Sequence, residues 1–152
     1  MYAATDHGGS LRFSARYNRG ADQFPPERTW PALYVGLSPE TCLGEILRRL
    51  RPEDLTNLNE YRLTELEIRL NATLDCRDPE AIGLSLGDLV DDRDFSVTQQ
   101  IAAAAIVRGA EGVLVPSATG LGDNLVIFPN QLSTTTVLTV ISSRDPRLYV
   151  PR

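Results

Sequence analysis

Lysine is missing altogether: all fifteen basic residues of this 152-residue chain are arginines. A Schiff-base enzyme and a Walker-type phosphate loop both need a lysine amine, so neither is encoded. There is one histidine, His7, and the two cysteines, Cys42 and Cys76, form no CxxC pair. HExxH is absent as well, which leaves no tetrahedral zinc site to build from Cys and His, and no metal is expected. No secretory leader is read in MYAATDHGGS, so reduced, buried thiols are expected in place of a disulfide. The longest apolar run, Ile101 to Val107, is far short of the roughly 20 residues that cross a bilayer. A cytoplasmic setting with no membrane partner is the expectation. The net charge of −5 and an isoelectric point near 4.9 disfavour direct nucleic-acid binding. Any anion must then be met by locally placed arginines, whose planar fork takes phosphate oxygens in pairs.

What is present is ordinary for one globular domain: 42% hydrophobic and 23% charged residues, with no repeat or low-complexity tract. Residues 1–31 are rich in Gly, Arg and Pro and read mostly as loop, since Pro25, Pro26 and Pro31 break any helix there. Ala32 to Val35 reads as a short buried strand. Ser38-Pro39 then supplies an N-cap and a first turn, and Leu43, Ile46, Leu47 and Leu50 continue as a helical stripe before Pro52. Residues 60–76 alternate polar and apolar and suggest one or two strands. Pro79 to Asp94 holds short helical turns. Ser96 with Gln99 forms a capping box ahead of a second helix, which Gly109 stops. Strands are expected at Gly112–Val115, Asn124–Phe128 and Ser133–Ser142, with a loop at 116–123. The order is mixed, which predicts an α+β domain with a mainly antiparallel sheet and flanking helices.

Several residues could carry chemistry. Arg12, Arg16 and Arg19 stand in a Gly-flanked loop, as either a pyrophosphate clamp or scattered solvated charge. Tyr34 sits in a core strand, where a packed tyrosine with its hydroxyl near the surface competes with a stacking platform. Glu45 falls opposite the apolar stripe of its helix, and Arg48 and Arg49 follow at ion-pair spacing, so a surface salt bridge is the plain reading. Ser117 follows an apolar strand in VPSATGLGDN but lacks a histidine base and a GxSxG elbow, so a Ser-His-Asp hydrolase is rejected. Gly120 and Gly122 are too few for a dinucleotide fingerprint and read as a tight turn. Asp88, Asp91, Asp92 and Asp94 read as a solvated acidic turn in preference to a cation site.

Together these pieces resemble the RES domain, named for its Arg, Glu and Ser. Ala15-Arg16-Tyr17-Asn18 is similar to the family's Gly-Arg-aromatic-Asn element, ALYVGLSPETCLGEIL to its strand-to-helix element, and GAEGVLVPSATGLGDNLVIF to its C-terminal Pro-Ser element. Tyr34 and Glu45 lie eleven residues apart, as in the family. The likeness runs from about Gly9 to Phe128, and the whole of residues 1–152 is taken as one RES domain. The resemblance implies an ADP-ribosyltransferase-like fold and a toxin that destroys NAD+, without a cofactor or metal, under the control of an Xre-like antitoxin. A homodimer within the toxin–antitoxin complex is the assembly it suggests. Cleaving the nicotinamide–ribose bond creates an oxocarbenium-like sugar, which Glu45 would stabilise. Arg16, helped by Arg12, would hold the pyrophosphate; Tyr34 would pack on nicotinamide or ribose; Ser117 would orient the substrate. Tyr17, next to Arg16, joins Arg12, Arg16, Tyr34 and Ser117 in the implied substrate-contacting set. Arg16, Tyr34, Glu45 and Ser117 should then converge on one cleft, and an antitoxin should block its mouth. Two rival readings use the same residues: transfer of ADP-ribose to a protein, and a weakened domain acting as an antitoxin-binding module. Ala15, in place of a family glycine, and the brief segment before the first element motivate the latter.

Overall fold

The computed structural model describes residues 3–149, apart from the side chains of residues 55–57. Residues 1, 2 and 150–152 of the expected domain lie outside the described residues. Four strands, β1 (Leu33–Gly36), β3 (Thr73–Asp75), β4 (Gly112–Pro116) and β5 (Asp123–Ile127), form a sheet in the order β1-β5-β4-β3. Only the β3–β4 pair is parallel. A second, antiparallel sheet pairs β2 (Leu63–Arg69) with β6 (Val137–Arg144), and its register shifts between Glu65 and Leu66. The chain is therefore the expected α+β domain with a mainly antiparallel sheet. The alternating segment at 60–76 divides between two sheets: β2 pairs with β6, and β3 with β4.

Period-two alternation in β4 and β5 gives the central sheet two apolar faces. Val113, Val115, Val126 and Phe128 point to one side and are all but fully buried. They share a core with Ala102 and Ala105 of α4 (Ser96–Val107), Leu89 of α3 (Leu86–Val90), and Tyr17. Leu114 and Leu125 point the other way and line a groove with Leu66, Ile68 and Leu70 of the second sheet segment. Small alanines on α4 let the helix lie close on the valines, which favours dense packing over a bulky interface.

The helix starts repay attention. Ser38 caps α2 (Pro39–Leu47) as expected, its hydroxyl accepting from Thr41 N. The helix ends before Leu50, because Arg49 N and Leu50 N both donate to Ile46 O and tighten the last turn. Gly36 is what lets α2 follow so closely on β1, since a Cβ there would lie 2.6 Å from Cys42 N. Ser96 is a correction: it is the first residue of α4 and not its cap. Asp94 accepts from Ser96 N, and the Gln99 side chain is buried on other business. The loop read over 1–31 also contains a five-residue helix, α1 (Gly8–Arg12), with no buried residue of its own. Tertiary bonds hold it: Ser10 Oγ accepts from Ala32 N, and Ser10 O accepts from Asn18 Nδ2.

Candidate active site

The Ala15–Asn18 segment is a tight turn closed by Ala15 N to Asn18 O and Asn18 N to Ala15 O. Both carbonyls of that turn also take a second donor from the helix packed behind them. Gln99 provides it: its Nε2 donates to both Ala15 O and Asn18 O at 3.1 Å. Asn18 is fully buried and donates to Ser10 O and Phe13 O, which leaves its Oδ1 to accept from the Tyr34 hydroxyl at 2.8 Å. That hydroxyl in turn accepts from Tyr17 N at 2.9 Å. Tyr34 is thus anchored by its inner end while the residue stays 40% exposed. A hydroxyl at the surface, the plain reading of a core tyrosine, is reversed here. A ring presented to solvent with its polar tip fixed below is the geometry of a stacking platform.

Arg16 leaves the same turn and is held along one edge. Its Nη2 donates to Asp92 Oδ1 at 2.7 Å and to the carbonyls of Val90 and Asp91, while Nε reaches Asp91 O. The guanidinium also lies over the Phe95 ring. Asp92 pairs with Arg48 of the α2 C-terminus as well, so one carboxylate ties two arginines together. The acidic turn is therefore put to definite uses. Asp88 caps α3, Asp91 accepts from Arg93 N and Asp94 N, and Asp92 fixes Arg16. Among the described residues no three His, Cys, Asp or Glu side chains cluster as a metal site requires.

Glu45 makes no salt bridge with Arg48 or Arg49. Its Oε1 accepts from Ser117 Oγ at 2.7 Å and from Asn124 Nδ2 at 2.8 Å. The approach is close because Gly44 faces the 117–122 turn, where a Cβ would lie 2.8 Å from Leu121 Cδ1. Burial alone would raise the Glu45 carboxyl, but those two hydrogen bonds, with Arg16 and Arg49 nearby, hold it below the ordinary carboxylate value. Burial pushes the Tyr34 hydroxyl up to about 12, so the ring stays neutral at physiological pH.

These parts face one pocket, lined among others by Arg16, Tyr17, Tyr34, Glu45, Arg49 and Asn124. Strand register explains the meeting of distant segments. Tyr34 pairs with Val126, and Asn124 with Val115, so their side chains share the face that carries the core. Of the residues singled out in the sequence, Arg16, Tyr34 and Glu45 meet on the pocket wall. Ser117 is only 4% exposed, its hydroxyl donating to the Glu45 carboxylate, and it is not among the residues that line the pocket. Tyr17 borders the pocket but is buried in the core. Arg12 ends α1, exposed, and is not among the lining residues.

Four contributors escaped sequence reading: Gln99, Asp92, Asn124 and Arg49. Asn124 carried a usable signal, as the polar residue on the inward stripe it shares with Val126 and Phe128. Gln99 and Asp92 are set by contacts between segments far apart in the chain, which no local pattern encodes, and Arg49 is placed by the pocket that those segments enclose.

The chain has relatives among known proteins. The NAD(+) phosphorylases MbcT of Mycobacterium bovis and of Mycobacterium tuberculosis are each 33% identical over 121 residues, covering 75% of this chain. The chain spans only 61% of the length of those curated relatives. The crystal structure of the M. tuberculosis MbcT–MbcA toxin–antitoxin complex matches with a TM-score of 0.76 at 29% identity, over 97% of this chain and 81% of that one. A profile of the RES domain matches residues 1–149, and the chain belongs to the RES domain family.

Proposed function

We propose that the protein cleaves the nicotinamide–ribose bond of NAD+, with inorganic phosphate as the acceptor. The carrying observation is the Glu45 carboxylate, kept ionised by Ser117 and Asn124 in a pocket flanked by Arg16 and Arg49. In this reading the C1–N bond of the ribose breaks and its electron pair leaves with nicotinamide, which departs neutral. The sugar passes through an oxocarbenium-like state beside Glu45, and a phosphate oxygen then closes on C1 to give ADP-ribose 1-phosphate. Tyr34 offers its exposed ring to the nicotinamide or ribose, while the free edge of Arg16 faces the diphosphate. Ser117 and Asn124 act through Glu45, as positioning residues. Kinship with proteins named NAD(+) phosphorylase supports phosphate over water or a protein side chain as acceptor.

The chain acts, on this proposal, as a cytoplasmic toxin restrained by an Xre-like antitoxin that covers the pocket mouth, with toxin homodimers inside the complex. The likeness to a toxin–antitoxin complex supports a protein partner, and the exposed Tyr34, Leu37 and Ile46 supply apolar contact area beside the pocket.

The test is nicotinamide release by the purified chain, with and without phosphate, for wild type and Glu45→Gln. The substitution keeps the size and both hydrogen-bond donors' acceptor while removing the charge. Phosphate-dependent release by wild type and a loss of at least about a hundredfold in the variant are expected. Release that ignores phosphate would reassign the acceptor to water, and NAD+ binding without turnover would favour the weakened-domain reading.

A further inference from the structure

We infer that Arg49 is the cation that receives a phosphate group in this pocket. The inference rests on the NAD+-cleaving reading and assigns a role within it. Arg49 lines the pocket one helical turn beyond Glu45, and among the described residues its guanidinium has no hydrogen bond or ion pair. Its neighbours already have donors spent. Arg16 is tied to Asp92 and to the carbonyls of Val90 and Asp91, and Arg48 is tied to Asp92. Glu45 gives its accepting oxygen to Ser117 and Asn124, not to Arg49. Two guanidinium groups against one carboxylate leave the pocket positive within a chain of net charge −5. Arg49 lies near enough to Glu45 and Tyr34 for its charge to oppose the upward pull of burial on both. A planar fork with every donor unspent, next to the carboxylate that faces the sugar, suits a phosphate oxyanion. Inorganic phosphate and the diphosphate of the dinucleotide share that chemistry.

The experiment varies NAD+ and phosphate independently while following nicotinamide, for wild type, Arg49→Gln, Arg49→Lys and Arg108→Gln. Arg108, exposed at the end of α4, controls for net charge. Inorganic phosphate alone is titrated into the same four proteins by calorimetry. Arg49→Gln is expected to raise one KM by about tenfold or more with a smaller change in kcat, Arg49→Lys to recover part of it, and Arg108→Gln to match wild type. A shift confined to the phosphate KM, with product moving from ADP-ribose 1-phosphate to ADP-ribose, identifies the acceptor. A shift confined to the NAD+ KM identifies the diphosphate. Both KM values unchanged in Arg49→Gln would overturn the assignment. Should wild type release no nicotinamide, the NAD+ reading fails and the calorimetry decides this one. Phosphate binding lost in Arg49→Gln but kept in Arg108→Gln upholds it; binding that is absent, or equal in the two, overturns it.

Discussion

Glu45 shows how two hydrogen bonds can change what a residue is for. At its place on α2 it has the spacing of a surface ion pair, yet Ser117 and Asn124 draw the carboxylate toward the β4–β5 turn. Each charge-assisted bond contributes about 1.5–3 kcal/mol, more than an exposed i,i+4 pair, so the turn wins over Arg48 and Arg49. Ser117→Ala removes one of the two donors. Because that donor lowers the Glu45 pKa, its loss raises it, and the acidic limb of the pH–rate profile should move to higher pH. A fall in kcat of about tenfold should accompany it, from the lost bond. Steady-state rates across the acidic range check both effects. A limb that stays in place would mean that Ser117 serves only the fold of its turn.

At the scale of elements, the site depends on how closely α2 follows β1. Gly36 is one residue past Val35 and packs on the start of α2, where a Cβ would meet the backbone N and Cα of Cys42 at 2.6 and 2.9 Å. Backbone on both sides cannot yield as a flexible side chain does. Gly36→Ala should therefore shift α2, cost about 1–3 kcal/mol on denaturant titration, and lower kcat/KM by about a hundredfold through displacement of Glu45. The α4 helix plays the complementary part. Its Gln99 reaches across to the Ala15–Asn18 turn and so fixes, through Asn18 and Tyr34, the opposite wall. Both walls meet at the sheet end that carries Tyr34 and Asn124.

For the molecule as a whole, the titrating groups define a window of stability. Glu111 is 3% exposed and joins the start of β4 to the segment ahead of β6. Burial would raise its carboxyl, but donors from Thr136, Asn71 and Ser133 hold it at about 2 against an ordinary 4.5. Folding lowers this pKa, so the contribution is present above pH 4.5 and is lost as pH falls toward 2. Tyr34 is the reverse case, its pKa raised by folding from 10.0 to about 12. Its contribution is present below pH 10 and is lost as pH rises through 12; Tyr17 shifts in the same direction. Stability measured by denaturant titration should form a plateau between about pH 5 and pH 10 and fall on either side. Glu111→Gln should cost about 2–3 kcal/mol at neutral pH and flatten the acid limb.

The amino-acid order alone determined the elements whose signals are local. The Ser38-Pro39 start of α2, the apolar run of α4 with its Gly109 stop, and the short apolar strands β4 and β5 are each set by residues within one or two turns or a single strand. So were the exclusions that follow from having no lysine and one histidine. The RES motifs, read together, pointed to Arg16, Tyr34, Glu45 and Ser117, of which the first three line one pocket, because short motifs keep such residues at fixed spacing. Tertiary structure decided the rest. Gln99 resembles half of a capping box, but the buried carbonyls of Ala15 and Asn18 hold a stronger claim on its amide. Asp92 looks like one acid in a solvated turn, yet two arginines from separate segments converge on it. Ser117 donates to Glu45, and Arg49, spaced for an ion pair with that residue, has no side-chain partner among the described residues. For Gln99, Asp92 and Ser117 the side chain had a local partner within reach. Folding brought a distant one that was better placed or more deeply desolvated, and the hydrogen bond formed where leaving it unmade would cost most.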